Sequence, residues 1–285
     1  MSVEVRQELH LPGALARFRF AGHTDRGPVR PTNEDSFLAK APFFVVADGM
    51  GGHALGDRAS QAAIAAFADA LPLDAPARPQ EVLDTIARAN DAVLALGTGI
   101  GLSGTTLTGV AFVDLDGRGD CRWMVFNIGD SRTYAWDGRS LAQLTVDHSA
   151  VQELIDLGDV SPEAARRHPQ RNVVTRALGA EDRVEPDAWL LPAQARQTFL
   201  VCSDGLTKEL DDEEIARIIV FHDAESARDR APTLAERLVG AALAAGGTDN
   251  ATVVVVELEL AGAAEAAEDT LDRPAGVLED TRPRG

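Results

Sequence analysis

Apolar residues in this chain fall into short runs that stop against acids and glycines. Residues 43–47, Phe-Phe-Val-Val-Ala, end in Asp48 and then Gly49, Gly51 and Gly52. A continuous apolar run of that length, bounded by turn residues, reads as a buried strand. The glycines stop it and let backbone approach whatever Asp48 holds. The pattern recurs where residues 124–128 lead to Gly129-Asp130, and where residues 198–203 lead to Asp204-Gly205. It runs backwards at Asp249-Asn250, with the acid ahead of the strand 251–256.

The remaining pattern fills in around these strands. Residues 17–22 alternate and predict an edge strand. Residues 24–34 form a loop broken by Gly27, Pro28 and Pro31, and 36–40 predict a strand paired with the Phe43 run. Helical spacing predicts helices over 57–71, 81–96, 211–220 and 233–245. Strands are expected at 105–113 and 122–128 about an Asp116-Gly117 turn, at 133–136 and 140–144 about Asp137-Gly138, and at 197–202. Residues 147–178 are polar, with short helices near 150–157 and after Ser161-Pro162-Glu163, and read as an inserted flap rather than core. Residues 1–16 read as a loosely held lead-in and 261–285 as a disordered acidic tail, leaving 17–260 as the working domain. Hairpins mixed with helices, without strict βαβ alternation, predict an α+β layered fold.

Composition narrows the function. The chain has 285 residues, 45% of them apolar, enough for a sizeable core. A net charge of −18 argues against nucleic acid or an anionic membrane as the main partner. Cys121 and Cys202 both lie in apolar runs and read as buried free thiols of a reducing compartment. No run is long enough to span a membrane and the start lacks a signal-peptide pattern, so a soluble cytoplasmic protein is expected.

Acids at buried strand ends are costly unless something pairs with them. Four so placed, Asp48, Asp130, Asp204 and Asp249, point to one convergence site, whose natural partner is a hard divalent cation, Mg²⁺ or Mn²⁺. The histidines and cysteines lack zinc-site spacings, and no GxxxxGK[ST] loop is present. Two cations sharing a carboxylate lower the pKa of a water and aim it at a phosphorus or carbonyl centre, and a nearby arginine holds a phosphate by its fork.

The ordered motifs carry a resemblance. Thr24-Asp25-Arg26-Gly27, then Arg30-Pro31-Thr32-Asn33-Glu34-Asp35, is similar to the opening motif of the type 2C, metal-dependent (PPM) serine/threonine protein phosphatases. The match continues through Asp48-Gly49-Met50-Gly51-Gly52-His53, Gly56-Asp57-Arg58, Ser103-Gly104-Thr105-Thr106, Gly129-Asp130-Ser131-Arg132 and Thr145-Val146-Asp147-His148-Ser149. It closes with His168-Pro169-Gln170-Arg171-Asn172, Ser203-Asp204-Gly205-Leu206 and Thr248-Asp249-Asn250. One such piece is weak, but the ordered set over about 17–260 is specific, and its form is that of the small bacterial members.

The resemblance implies a four-layer α/β/β/α sandwich with two central antiparallel sheets flanked by helices. It implies that Asp48 bridges two tightly bound Mn²⁺ or Mg²⁺ ions, that Gly49 offers its carbonyl to one, and that Asp204 and Asp249 complete the other. Glu34 and Asp35 act through water on the metals, Arg30 grips the substrate phosphate, and Asn250 supports Asp249 from behind. Asp130 matches the acid that, with Asp204, holds a third, weaker ion in bacterial members. The implied activity is hydrolysis of phosphoserine and phosphothreonine in proteins, with a bacterial Ser/Thr kinase and its substrates as partners.

Two positions depart from the family pattern. Met50 stands where the animal enzymes carry a histidine proposed as general acid, and Asp57 stands where glutamate is usual. His53, His148 and His168 read as structural. Two other functions fit the same residues: a silent module of this fold that binds phosphoprotein without turnover, and a phosphatase for a small phosphorylated metabolite. The substrate protein, the pathway and the oligomeric state are not encoded in these patterns.

Overall fold

The computed structural model describes residues 4–51, 55–72, 74–97, 103–225 and 232–262. In chain order these form β1 (Val5–Leu11), β2 (Ala14–Asp25), β3 (Asp35–Lys40), β4 (Phe43–Gly51), α1 (Gly56–Asp69), α2 (Pro79–Leu96), β5 (Ser103–Thr105), β6 (Leu107–Asp114) and β7 (Cys121–Ile128). They continue with β8 (Arg132–Trp136), β9 (Leu141–Gln143), α3 (Ala150–Asp156), α4 (Pro162–Ala165), β10 (Asp187–Pro192), β11 (Arg196–Cys202), α5 (Asp204–Thr207), α6 (Asp212–Glu225), α7 (Leu234–Ala245) and β12 (Ala251–Ala261). One sheet has the order β1-β2-β12-β11-β8-β9 and the other β10-β7-β6-β4-β3, with β5 also on β4. The named strands pair antiparallel throughout.

Side chains alternate across a strand, so a strand buried on both faces must be apolar at every position. That is why 43–47 is an unbroken apolar run. Phe44 and Val46 pack between the sheets with Phe18, Trp123, Val125, Phe199 and Val254. Phe43, Val45 and Ala47 face the other way, onto Ala59, Ala63 and Phe67 of α1 and Ile86 and Val93 of α2. The same division splits β12, where Val254 and Val256 join the inter-sheet core while Val253 and Val255 meet Ile215, Leu238 and Val239 of α6 and α7. The result is the expected sandwich of helices, two sheets and helices. Trp123 anchors its middle, with ring centroids 5.3 Å from Phe112 and 4.9 Å from Phe199. Fully burying a side chain of this kind contributes about 1.5–3 kcal/mol.

Two expectations about the N-terminal region change. Residues 5–11, expected in a loose lead-in, form β1 and pair with β2 in full register from Val5↔Phe20 to Leu11↔Ala14. Residues 17–22, expected at a sheet edge, are interior, because β2 also pairs with β12. Pro12 and Gly13, the latter at φ 77°, close the hairpin that covers the edge. Residues 263–285, which include most of the expected tail, lie outside the described residues, as does His53. No helix among the described residues is long and apolar enough to cross a membrane.

Candidate functional site

Strand register brings the acids to one end of the sandwich. Asp35 begins β3 directly opposite Asp48 near the end of β4. In the facing sheet, Cys202 at the end of β11 pairs with Val253 near the start of β12 and with Arg132 at the start of β8. Asp204 and Asp249 therefore flank neighbouring strand ends. A hydrogen-bonded bridge joins the sheets there. Asp35 Oδ2 accepts from Ser203 Oγ and from Thr252 Oγ1, both at 2.7 Å.

The backbone around Asp48 is fixed. Its N–H donates to Thr106 Oγ1 at 3.0 Å, and its carbonyl accepts from Thr105 Oγ1 and Thr106 N, both at 2.9 Å. Gly49 N donates to Glu34 O at 3.0 Å. Only glycine fits at 49, since a Cβ there would lie 2.0 Å from the carbonyl oxygen of Gly56. Gly205 is equally constrained, with a Cβ falling 1.8 Å from Asn250 O. These are the glycines that follow the two central acids, so close backbone approach sets both acid-glycine pairs.

The acids are buried together. Asp130 is 8% exposed and Asp35 7%. Burial, then the neighbouring carboxylates Asp35, Asp204 and Asp130, pushes Asp48 well above the usual carboxylate range. Burial first, and then nearby acids against hydrogen bonds, raises Asp35 to about 7. Burial and Asp204 raise Asp130 to about 7. Asp204 is raised mainly by burial. Asp249 goes the other way. Burial raises it, but Lys208 and Arg30 outweigh burial and hold it below the ordinary value. Asp35 Oδ1 and Asp204 Oδ1 are buried and accept no hydrogen bond. Orphaned, all-oxygen donors in a cluster of like charges suit a hard divalent cation.

Among the described residues two cations reach this cluster. Lys208 Nζ lies 2.5 Å from Asp204 Oδ2 and 2.8 Å from Asp249 Oδ2. Arg30 Nη2 lies 2.8 Å from the same Asp249 oxygen. Among the described residues no three His, Cys, Asp or Glu side chains converge as a ready metal cage. The structure thus brings Arg30, Asp48, Asp35, Asp204 and Asp249 together, with Asp130 beside Asp204. Glu34 lies at the rim, where a Cβ on Gly56 would meet its carboxylate at 2.8 Å.

Asn250 supports Asp249 through its main chain, and its side chain does a second job. Its backbone N–H, not its amide, donates to Asp249 Oδ1 at 2.9 Å. Its side chain clamps the 26–34 loop, accepting from Glu34 N and donating to Arg26 O and Thr32 O. Two of the histidines singled out in the sequence, His148 and His168, make local contacts. His148 Nδ1 accepts from Gly129 N at 3.0 Å and its Nε2 lies 3.2 Å from Asp187, tying the flap to the turn that carries Asp130. His168 Nδ1 accepts from Gln170 N within the flap. Leu178 closes the flap on β5 by exchanging backbone hydrogen bonds with Thr105. Sequence reading missed Lys208. Its signal was spacing, for it stands four residues after Asp204, one helical turn on the same face.

A sequence profile of the protein phosphatase 2C family matches residues 30–243. The chain belongs to the protein phosphatase 2C family. This phosphatase 2C chain is 39% identical over 272 residues to the serine/threonine protein phosphatase PstP of Mycobacterium tuberculosis, covering 90% of itself but 50% of that protein. It therefore spans about half the length of PstP. The serine/threonine phosphatase Stp of Listeria monocytogenes is 38% identical over 248 residues, covering 83% of this chain and 94% of Stp. The crystal structure of the PstP catalytic domain in complex with two manganese ions superposes with a TM-score of 0.71 at 36% identity, over 86% of this chain and 99% of that one. Two antiparallel sheets flanked by helices are thus common to this chain and to phosphatases of its family.

Proposed function

We propose that this chain is a metal-dependent phosphatase that hydrolyses phosphoserine and phosphothreonine in proteins and opposes a Ser/Thr kinase in the cytoplasm. The observation that carries the reading is the gathering of Asp48, Asp204 and Asp249 at one end of the sandwich, with Asp35 Oδ1 and Asp204 Oδ1 buried and without a hydrogen-bond donor, beside an arginine. The relative crystallised with two manganese ions supports the same metal count. Asp48 would hold the position between two ions, the Gly49 carbonyl would face one, and Asp204 with Asp249 would hold the other. Asp130 would hold a third ion together with Asp204. Two hard cations at this place supply a Lewis acid that lowers the pKa of an attacking water and offsets charge on the phosphoryl oxygens.

The chain's own residues do the rest. Arg30 uses one guanidinium nitrogen on Asp249, and its remaining donors suit a phosphate fork. Asn250 and the Asn33–Thr24 hydrogen bond, 2.9 Å, hold the loop that carries Arg30. Asp35, gripped by Ser203 and Thr252, keeps its free oxygen Oδ1 for water near Asp48. Glu34 at the rim is pushed up by burial, against the pull of Arg30. Met50 carries no titratable proton, so the leaving serine oxygen takes its proton from another group.

The test is hydrolysis of p-nitrophenyl phosphate and of a phosphopeptide with Mn²⁺, with excess EDTA, and in Asp48→Asn. Turnover that requires Mn²⁺ and disappears in Asp48→Asn is expected. Activity that persists in EDTA refutes the reading. Tight phosphopeptide binding without turnover marks a silent binding module instead, and turnover of small phosphomonoesters alone marks a metabolite phosphatase.

A further inference from the structure

The chain carries 27 lysines and arginines, and only two of them, Lys40 and Lys208, are lysine. One of that pair sits inside the carboxylate cluster. Lys208 Nζ lies 2.5 Å from Asp204 and 2.8 Å from Asp249, with its side chain 26% exposed. An ammonium is a compact point charge on a flexible stem, whereas a guanidinium is a planar fork. Here the ammonium reaches one oxygen of each of two carboxylates while its stem follows one helical turn. Asp204 Oδ2 and Asp249 Oδ2 are thereby occupied, and Asp249 Oδ2 also takes Arg30.

We propose that Lys208 is a tethered cation that fills the metal position between Asp204 and Asp249 when the ions are absent, and that metal loading must displace it. The inference rests on the metal-site reading above. Its logic is competition for the same oxygens. A divalent ion between these carboxylates stands at bonding distance from each, and an ammonium cannot remain there beside it, because like charges a few ångströms apart repel strongly in a buried site. Lys208 therefore does two opposite things. It offsets the repulsion of the acids in the metal-free protein, and it raises the metal concentration at which the site fills. Leaving Asp249 also removes one of the two cations that share its Oδ2. The ion that replaces Lys208 takes over the charge that draws Arg30 there, which frees Arg30 for phosphate. Metal loading and readiness for substrate become one event with a threshold set by Lys208.

The test has two readouts that do not use activity. The first is calorimetric titration of the metal-free protein with Mn²⁺, beside its thermal midpoint in EDTA. Lys208→Met keeps the apolar stem and removes the charge. It is expected to bind Mn²⁺ about tenfold or more tightly at the tight sites, and its metal-free form is expected to melt lower. Lys208→Gln should behave likewise, and Lys208→Arg should stay nearer the parent in affinity. The second readout needs no mutant. With two lysines in the chain, acetylation of the native protein followed by peptide mass spectrometry reads Lys208 against the exposed Lys40 as internal control. Lys208 should be protected in EDTA and become reactive in Mn²⁺, while Lys40 stays constant. Unchanged or weaker Mn²⁺ affinity in the neutral variants, or equal Lys208 labelling in both conditions, overturns the role of Lys208 alone. A native protein that binds no Mn²⁺ overturns the metal site and this inference with it.

Discussion

Asn250→Ala separates clamp from ligand support. The residue is 5% exposed and its side chain makes three hydrogen bonds, one from Glu34 N at 2.9 Å and two to Arg26 O and Thr32 O at 2.8 and 2.9 Å. A typical bond of this kind contributes about 0.5–1.5 kcal/mol net, and leaving its partner buried and unpaired costs about 1–3 kcal/mol. The 26–34 loop is partly exposed, so water recovers some of the loss at the two carbonyls. Glu34, less exposed than Arg26 and Thr32, recovers least. The sum is about 2–4 kcal/mol. With a urea m-value of about 2–3 kcal/mol/M, the midpoint should drop by about 1 M. The same loop carries Arg30, so KM for phosphopeptide should rise while tight Mn²⁺ binding survives, because Asp249 is held by the Asn250 backbone and not its amide. Asn250→Asp keeps the acceptor for Glu34 N but sets a carboxylate against two carbonyls, and should be at least as destabilising. A loss below about 1 kcal/mol in Asn250→Ala, or loss of Mn²⁺ binding with an unshifted midpoint, would falsify the clamp.

Three further outcomes are expected. Arg30→Ala should raise KM about tenfold or more, from a charge-assisted pair worth about 1.5–3 kcal/mol, with Arg30→Lys rescuing poorly for want of the fork; an unchanged KM places the phosphate elsewhere. Asp130→Ala should retain two tightly bound ions, lose a weaker third by calorimetry and lower kcat on phosphopeptide; losing the tight pair assigns Asp130 to the primary site instead. In EDTA, Asp35 and Asp130 keep protons up to about pH 7 in the folded state, while unfolded carboxylates release theirs near pH 4. The unfolded chain thus binds fewer protons in that window, so stability falls as pH rises from about 4 to 7. The metal-free Tm should be higher at pH 5.5 than at 7.5, with Mn²⁺ closing the gap, and the opposite order in EDTA contradicts the burial of Asp35 and Asp130 as protonated acids.

Strands that separate two layers were the most legible elements. Residues 43–47 and 251–256 are apolar at every position because both faces are covered, and that pattern has few other readings. Helices α1 and α2 followed from one apolar face each, and α7 was placed within a residue, while α6 runs five residues past its expected end at 220. The edges were harder. In β1 only Leu9 is deeply buried, so Val5–Leu11 shows little alternation and looks like a loose end. In β10, Asp187–Pro192, buried faces are half-exposed and a proline closes the strand, as edge strands tolerate. Its pairing with β7 is a tertiary fact with no local signal. Asp116-Gly117 does mark a turn, but the loop is longer than a two-residue hairpin. It is built on Asp114, whose carboxylate accepts from the N–H groups of residues 116, 117 and 119.

The site divides along the same line. Its acids were legible because each interrupts an apolar strand, where an unpaired charge has no local reason to be. Ser203, Thr252, Thr105 and Thr106 were not, since a hydroxyl at a strand end is common; the meeting of two sheets turns Ser203 and Thr252 into donors for Asp35, while Thr105 donates to the Asp48 carbonyl and Thr106 Oγ1 accepts from the Asp48 N–H within one sheet. Lys208 shows the limit most clearly. A lysine in Asp-Gly-Leu-Thr-Lys reads as a solvated helix residue, and its spacing from Asp204 predicts one ordinary surface pair worth about 0.3–0.5 kcal/mol. What changes its meaning is Asp249, 41 residues away in sequence, which closes the other side of the ammonium. A charge cluster can be inferred from its members one at a time. The cation that balances it is defined only by the fold that gathers them.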